Sequence, residues 1–280
     1  MATATSGNAP RDYALGYTEA EHERLIRQAS FIAPVTERFL REAGVSAGQR
    51  VLDLGSGVGD VSMAIARLVG PTGEVVGIER DRASISKAQG RCKAAGFHNV
   101  SFEQADVGDL RGDKSFDAAV GRFILMFLPD PESVLRSVAR LVRIGGAVAF
   151  QEVSWVPMLA LGARLLLWSK ALDTIHQTLL SSGANPEMGL DLYPLYRRVG
   201  LPAPNMHMDI LLGSTPGFTD VILGVLRSLC PLAAKNQVPL SALGDMETLP
   251  ERIQAEISSA NTVVSVVPLV SAFSRKTAKM

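Results

Sequence analysis

The chain is poor in the residues that mark special environments. Of its 280 residues only two are cysteines, Cys92 and Cys230, far apart and in no CxxC spacing, so neither a disulfide framework nor a zinc or other metal site is expected. That scarcity suits a reducing, cytoplasmic setting. Neither sign of charge is in excess. Lys plus Arg equals Asp plus Glu at 28 each, so no overall field draws the chain to nucleic acid or to an anionic membrane. The most apolar helical run, MLALGARLLLW at 158–168, is interrupted by Arg164 and is too short to cross a bilayer, so no membrane span is expected. The opening MATATSGNAPRDY lacks a basic stretch followed by an apolar one and reads as a frayed tail rather than a secretory signal.

What is present is the material of a globular core. Hydrophobic residues make up 47% and charged residues 20%, which excludes a largely disordered chain. The length suits one α/β core with an added cap or lid. Residues 19–44 space Leu25, Ile26, Phe31, Ile32, Val35, Phe39 and Leu40 at helical intervals, with Pro34 expected to split them into two helices. Short β-branched runs then alternate with helical stretches. RVLDLG, EVVGIE (74–79), VSFEQAD (100–106), FDAAVGRF (116–123) and AVAFQEV (147–153) are separated by helices near 60–69, 82–95 and 131–142. Strands spaced by helices of that length imply a parallel sheet covered on both faces. Beyond residue 155 the pattern becomes helical: one segment at 158–182, then 189–199, 217–235 and 248–260. Two late strand-like runs, at 205–213 and 262–274, are available to complete the sheet.

The first strand runs into VLDLGSGVGDVS, with glycines at 55, 57 and 59. In a doubly wound sheet ligands sit outside the carboxyl ends of the strands, and glycine lets them approach the backbone closely. A P-loop would need Lys and Ser or Thr after the last glycine, where Asp60 and Val61 stand. A dinucleotide fingerprint would need glycine at 60, and Asp60 would put a carboxylate against a pyrophosphate. A ligand bearing a ribose and an amino acid end, with no phosphate, meets no such objection. Glu79 lies twenty positions after Gly59, the spacing at which a carboxylate accepts from ribose hydroxyls, although it alone would also suit NAD. Asp106, ending FEQAD, could accept from an adenine amino group. The plain alternative for each acid is a helix cap.

With these motifs in order, the sequence resembles the class I S-adenosylmethionine-dependent methyltransferases, in particular bacterial ones with an N-terminal helical cap and a late helical insertion. VLDLGSGVG looks like their first motif, GIERD the second, FEQADVGDL the third, FDAAVGRFILMFLPDP the fourth, and LVRIGGAVAFQEV the approach to the fifth strand. The resemblance implies an α/β, doubly wound, seven-stranded, mostly parallel sheet, its last strand antiparallel and inserted beside the fifth. It implies cap helices and tail over 1–45, a cofactor-binding core over 46–155, and a helical lid with the last two strands over 156–280. By the same resemblance Gly55, Ser56 and Gly57 would meet the methionine part of S-adenosylmethionine, and Asp53 would help fix the glycine loop and the amino group. Glu79 with Arg80 would hold the ribose, Asp106 and Val107 the adenine. The Arg122 backbone would lie near the amino group, and Tyr17 and Gln28 would close over from the cap.

Fold and cofactor do not choose the methyl acceptor. Transfer from a sulfonium is an in-line displacement, which needs an aligned nucleophile, exclusion of water and sometimes a base. Glu152, ending the fifth strand, and His176, on the first roof helix, are the candidate bases; Tyr193, Tyr196 and His207 rank below them, and Trp155 suits a pocket wall. The fourth motif continues GRFI, not Asn-Pro-Pro-Tyr, and neither cysteine has a Pro-Cys context. No carboxylate cluster suits Mg²⁺. A small, fairly apolar acceptor under the helices of 158–260 is the expectation, and a cofactor-binding protein of this fold that does not methylate is its rival. A polymer-directed enzyme would need a basic groove. Oligomeric state has no signature here.

Overall fold

The computed structural model describes residues 14–112 and 115–278; the tail reading of residues 1–13 lies outside them. Helix α1 spans Glu19–Glu42. The core then alternates β1 (Arg50–Leu54), α2 (Asp60–Val69), β2 (Glu74–Glu79), α3 (Arg82–Ala94), β3 (Val100–Gln104), β4 (Phe116–Arg122), α4 (Pro131–Leu141) and β5 (Val142–Val153). The roof follows as α5 (Val156–Gly162), α6 (Leu166–Ser181), α7 (Met188–Arg198), β6 (Asn205–Asp209), β7 (Leu212–Gly213), α8 (Pro216–Lys235), α9 (Leu249–Ser259), β8 (Val264–Ser265) and β9 (Leu269–Arg275).

Seven strands form one sheet in the order β3-β2-β1-β4-β5-β9-β6. The first five are parallel, and β9 runs antiparallel between β5 and β6. This is the expected architecture. The chain steps outward from β1 to β3 and returns to β4 on the other side of β1, so a crevice opens at the carboxyl ends of β1 and β4.

Strand alternation assigns each side chain a face. Val51, Val75, Ala118, Val120, Ala147 and Ala149 pack with α1 and α2. Leu52, Leu54, Val76, Ile78, Ala119, Val148 and Phe150 pack on the other face with α4, α6 and α7. Asp53 therefore shares the α2 face with Val51, as Arg122 does with Val120 and Gln151 with Ala149, while Glu152 shares the opposite face with Phe150.

The local expectations need four corrections. Helix α1 is continuous through Pro34. Pro34, Pro194 and Pro231 all lie inside helices on exposed positions, and each frees the carbonyl of an exposed residue, Ser30, Leu190 and Arg227, which water can satisfy. The 158–182 segment breaks after Gly162, where a Cβ would lie 2.6 Å from Leu172 Cδ1, so α5 folds back tightly on α6. The 205–213 run divides, with only β6 in the large sheet; β7 pairs with β8 in a separate two-stranded ribbon. The last run is likewise split ahead of Pro268, into β8 and β9. Helix α8 is long and apolar enough to cross a membrane by length and composition. Its buried residues, among them Val221, Ile222, Leu226 and Leu229, pack in the main core cluster with those of α6 and α9.

Candidate functional site

The crevice is roofed into a cavity of about 760 Å³, within the range of small-molecule sites. Its floor is the β1–α2 turn. Gly55, Gly57 and Gly59 have φ of 64, 51 and 87°, left-handed values that L side chains rarely adopt. A Cβ on Gly55 would lie 2.8 Å from Ile124 Cδ1, while one at Gly57 would meet nothing within 4 Å. Ser56 is buried, and its Oγ has no partner among the described residues.

Glu79 ends β2 at the cavity wall. Its Oε2 accepts from Gly57 N–H at 3.0 Å, and Oε1 accepts from the N–H groups of Arg80 and Asp81 at 2.8 and 2.9 Å. Arg80 donates from Nε to the Tyr17 hydroxyl at 2.5 Å, which ties the segment before α1 to the end of β2. Burial raises the Tyr17 pKa, and Arg80 opposes the shift. Asp106, also on the wall, accepts from Gly108 N–H at 2.8 Å and starts a short 3-10 turn over Val107–Asp109. Asp106 thus serves as a cap and also lines the cavity, whereas Glu79 caps no helix, since the N-cap of α3 is Asp81.

Asp60 also lines the cavity and pairs with Arg91 at 2.6 Å, and Asp109 and Asp130 stand nearby. Gln28 lines it as well, accepting from Arg24 Nη1 at 2.6 Å. Arg24 holds Glu21 through Nε and Nη2 at 2.7 and 2.6 Å, and Glu21 accepts from Ser228 of α8. This buried set locks α1 to α8, and sequence reasoning missed it. Its only signal is the spacing of Glu21, Arg24 and Gln28 along one helical face. His22 was missed for the same reason; it lines the cavity with Nε2 3.1 Å from Ser84 Oγ.

Three expected residues stand elsewhere. Asp53 is 1% exposed and takes the Ser62 hydroxyl at 2.5 Å on the α2 face, where burial lifts its pKa to about 7. It does not line the cavity, and its bond runs to α2 rather than to the glycine loop. Glu152 is fully buried under the Phe123–Phe127 turn. Its Oε1 accepts from Ile124 and Leu125 N–H at 3.0 and 2.8 Å. Burial pushes its pKa up to about 7 against those hydrogen bonds. The turn it holds begins with Phe123 at φ 55°, a conformation costly for a bulky residue. His176 sits behind Trp155, with ring centroids 6.4 Å apart, and its Nε2 is 3.8 Å from Glu187 Oε1. Neither Glu152 nor His176 lines the cavity, because strand alternation turns the first downward and α6 turns the second outward.

Of the secondary candidates, Trp155 lines the cavity. Tyr196 is buried and donates to the Val148 and Ala272 carbonyls, Tyr193 is exposed, and His207 lies on β6 beside Glu42 and Asp209. The end of the cavity away from Glu79 is apolar, walled by Met126, Phe127, Val153, Trp155, Leu179 and Val225. The arrangement can hold a ligand with hydroxyl and amino donors at one end and exclude water at the other. No group of His, Cys, Asp and Glu suited to a metal occurs among the described residues.

Residues 45–194 match a family described as a methyltransferase domain. Over 135 residues the chain is 33% identical to a ubiquinone/menaquinone biosynthesis C-methyltransferase of Bdellovibrio bacteriovorus, covering 48% of this chain and 57% of that one. Over 114 residues it is 37% identical to an arsenite methyltransferase of Aquipseudomonas alcaligenes, covering 38% and 33%. The chain thus spans between a third and three fifths of the length of these relatives. The solved YcgJ protein of Bacillus subtilis superposes with a TM-score of 0.56 at 16% identity, over 86% of this chain and 97% of that one, a likeness of fold.

Proposed function

The chain belongs to the methyltransferase-domain family, and from that premise we propose that it transfers a methyl group from S-adenosylmethionine to a small, fairly apolar acceptor. The observation that carries this reading is the cavity itself, with a glycine-rich loop and the carboxylates of Glu79 and Asp106 at one end and an apolar chamber at the other.

The donor set suits the cofactor. Glu79 would accept from the ribose hydroxyls and Asp106 from the adenine amino group, with Val107 against the ring and Arg80 and Tyr17 closing that end. Gly55, Ser56 and Gly57 would run along the methionine part; Gln28 would close over it from α1. The acids that line the wall would repel a pyrophosphate, which argues against a dinucleotide. The same acids disfavour a nucleic acid acceptor. Bound there, S-adenosylmethionine supplies a methyl group on a sulfonium, open to in-line displacement.

The chain's own part is alignment and exclusion of water. Trp155, Met126, Leu179 and Val225 would hold the acceptor behind the methyl group in a dry chamber. We assign no proton transfer to Glu152 or His176, since both lie outside the cavity. The free thiols of Cys92 and Cys230 suit a cytoplasmic setting.

Calorimetric titration with S-adenosylmethionine, S-adenosylhomocysteine and NAD tests the proposal. Micromolar binding of the two sulfur ligands, with none of NAD, is expected. Binding of NAD alone, or of none, overturns it.

A further inference from the structure

One cationic side chain that lines the cavity has no ion pair among the described residues. Arg122, at the carboxyl end of β4, lines the cavity beside the glycine loop. Its one hydrogen bond among the described residues runs from Nη1 to Thr36 Oγ1 at 3.0 Å, which leaves most of the five N–H donors of a guanidinium uncommitted. Asp53 and Asp60 are near enough to act on its charge, but neither forms an ion pair with it; they are held by Ser62 and Arg91.

The single bond that Arg122 makes is unusually well fixed. Thr36 passes its own proton to Gln151 Oε1 at 2.7 Å, and Gln151 Nε2 donates to Ser271 Oγ at 2.9 Å. Thr36, Gln151 and Ser271 are 2%, 0% and 0% exposed, so the relay runs dry from β4 through α1 and β5 to β9. Because Arg122 can only donate, it sets the direction of every donor in that row. A row this constrained holds a guanidinium in one orientation. A half-buried cation so held, without an ion pair, is completed by an anion that reaches it from the cavity.

Strand order says which part of a ligand arrives there. Glu79 ends β2 and Asp106 follows β3, both on one side of the β1 loop, and Arg122 ends β4 on the other. A ligand whose hydroxyl and amino donors meet the two acids crosses the loop and presents its far end to Arg122. We propose that the Arg122 guanidinium, oriented by Thr36, Gln151 and Ser271, binds the carboxylate at the amino acid end of the cofactor. This rests on the cofactor reading above and adds a side-chain role that the backbone of Arg122 does not supply.

The test compares two ligands that differ in the carboxylate alone, S-adenosylmethionine and its decarboxylated form, titrated calorimetrically into the wild type, Arg122→Gln, Arg122→Lys and Thr36→Val. The wild type is expected to favour the carboxylate-bearing ligand by roughly 10- to 100-fold, the range of a charge-assisted hydrogen bond. Arg122→Gln should bring the ratio to within about 2-fold by weakening S-adenosylmethionine alone. Arg122→Lys keeps charge without the fork, and Thr36→Val frees the fork, so both should give intermediate ratios. A ratio unchanged in Arg122→Gln, whether or not both ligands weaken together, overturns the assignment and leaves Arg122 a structural role. If Arg122→Gln does not fold by circular dichroism, the ratios of Arg122→Lys and Thr36→Val decide, and wild-type ratios in both overturn the proposal. A wild type that binds neither ligand sinks the cofactor reading itself; one that binds both equally sinks only Arg122.

Discussion

The wall of the cavity and the roof above it are both fastened by carboxylates, but over different distances along the chain. Around the wall, Asp81, Asp106 and Asp130 accept from N–H groups two or three residues ahead, at Ser84, Gly108 and Ser133. In the roof, α5 and α6 begin at Trp155 and Leu165, which have no capping side chain. Their N–H groups are taken by remote glutamates instead. Glu187 accepts from Trp155 and Val156, and Glu256 from Leu167 and Trp168, across sequence separations of 31 to 89 residues. A near cap forms with its helix, whereas a remote cap exists only once the tertiary structure is complete. The roof should therefore be gained or lost as a unit, while the turns of the wall form locally.

The sharpest way to break this contrast is Glu187→Ala. It removes the partner of Ser154 Oγ and of the Val156 N–H and leaves the Trp155 N–H only the longer bond to the Pro186 carbonyl. Urea denaturation should show a loss of about 2–4 kcal/mol. A cost no larger than that of the local cap would erase the distinction. Next in size is Glu79→Ala, which should weaken S-adenosylmethionine by about 1.5–3 kcal/mol in a calorimetric titration. An unchanged dissociation constant would remove Glu79 from the site. The local cap itself, Asp81→Ala, should cost about 1 kcal/mol of stability in the same urea assay.

The smallest effect concerns Glu152, a third remote carboxylate. Its pKa of about 7 in the folded protein stands above its ordinary 4.5, so the folded state keeps a proton that the unfolded chain has released. The stability this contributes is present in full below pH 4.5 and is lost as pH rises to about 7. Asp53 acts in the same sense. Glu152→Gln should flatten that fall by on the order of 1 kcal/mol across the window, measured as melts from pH 4.5 to 8. Because the amide oxygen can still accept from Ile124 and Leu125, turnover should stay within about 3-fold of wild type; a fall of about 100-fold would restore a catalytic base.

What could be read from the sequence follows the same division. The five core strands and the residues Gly55, Gly57, Glu79 and Asp106 are local matters of periodicity, turn chemistry and motif spacing, whereas the strand order came from the family resemblance. The faces of Asp53, Arg122 and Glu152 were set by strand alternation, but strands buried on both sides show apolar residues at every position, which hides the phase. Pro34 misled because a proline's effect on a helix depends on whether the freed carbonyl meets water, a tertiary fact. The Glu21–Arg24–Gln28 set and the remote caps were illegible because each needs a partner, such as Ser228, Trp155 or Trp168, from a distant helix.

The insertion of β9 between β5 and β6 has a consequence for the order in which a nascent chain can complete itself. In the sheet β6 has β9 as its neighbour, and the two are separated by the whole of α8 and α9. Until residues 269–275 have left the ribosome, β5 presents an unpaired edge and β6 has nothing to pair with. The wall can assemble during synthesis, with the acceptor chamber still open. Through Ser271 that last strand also ends the relay that reaches Arg122.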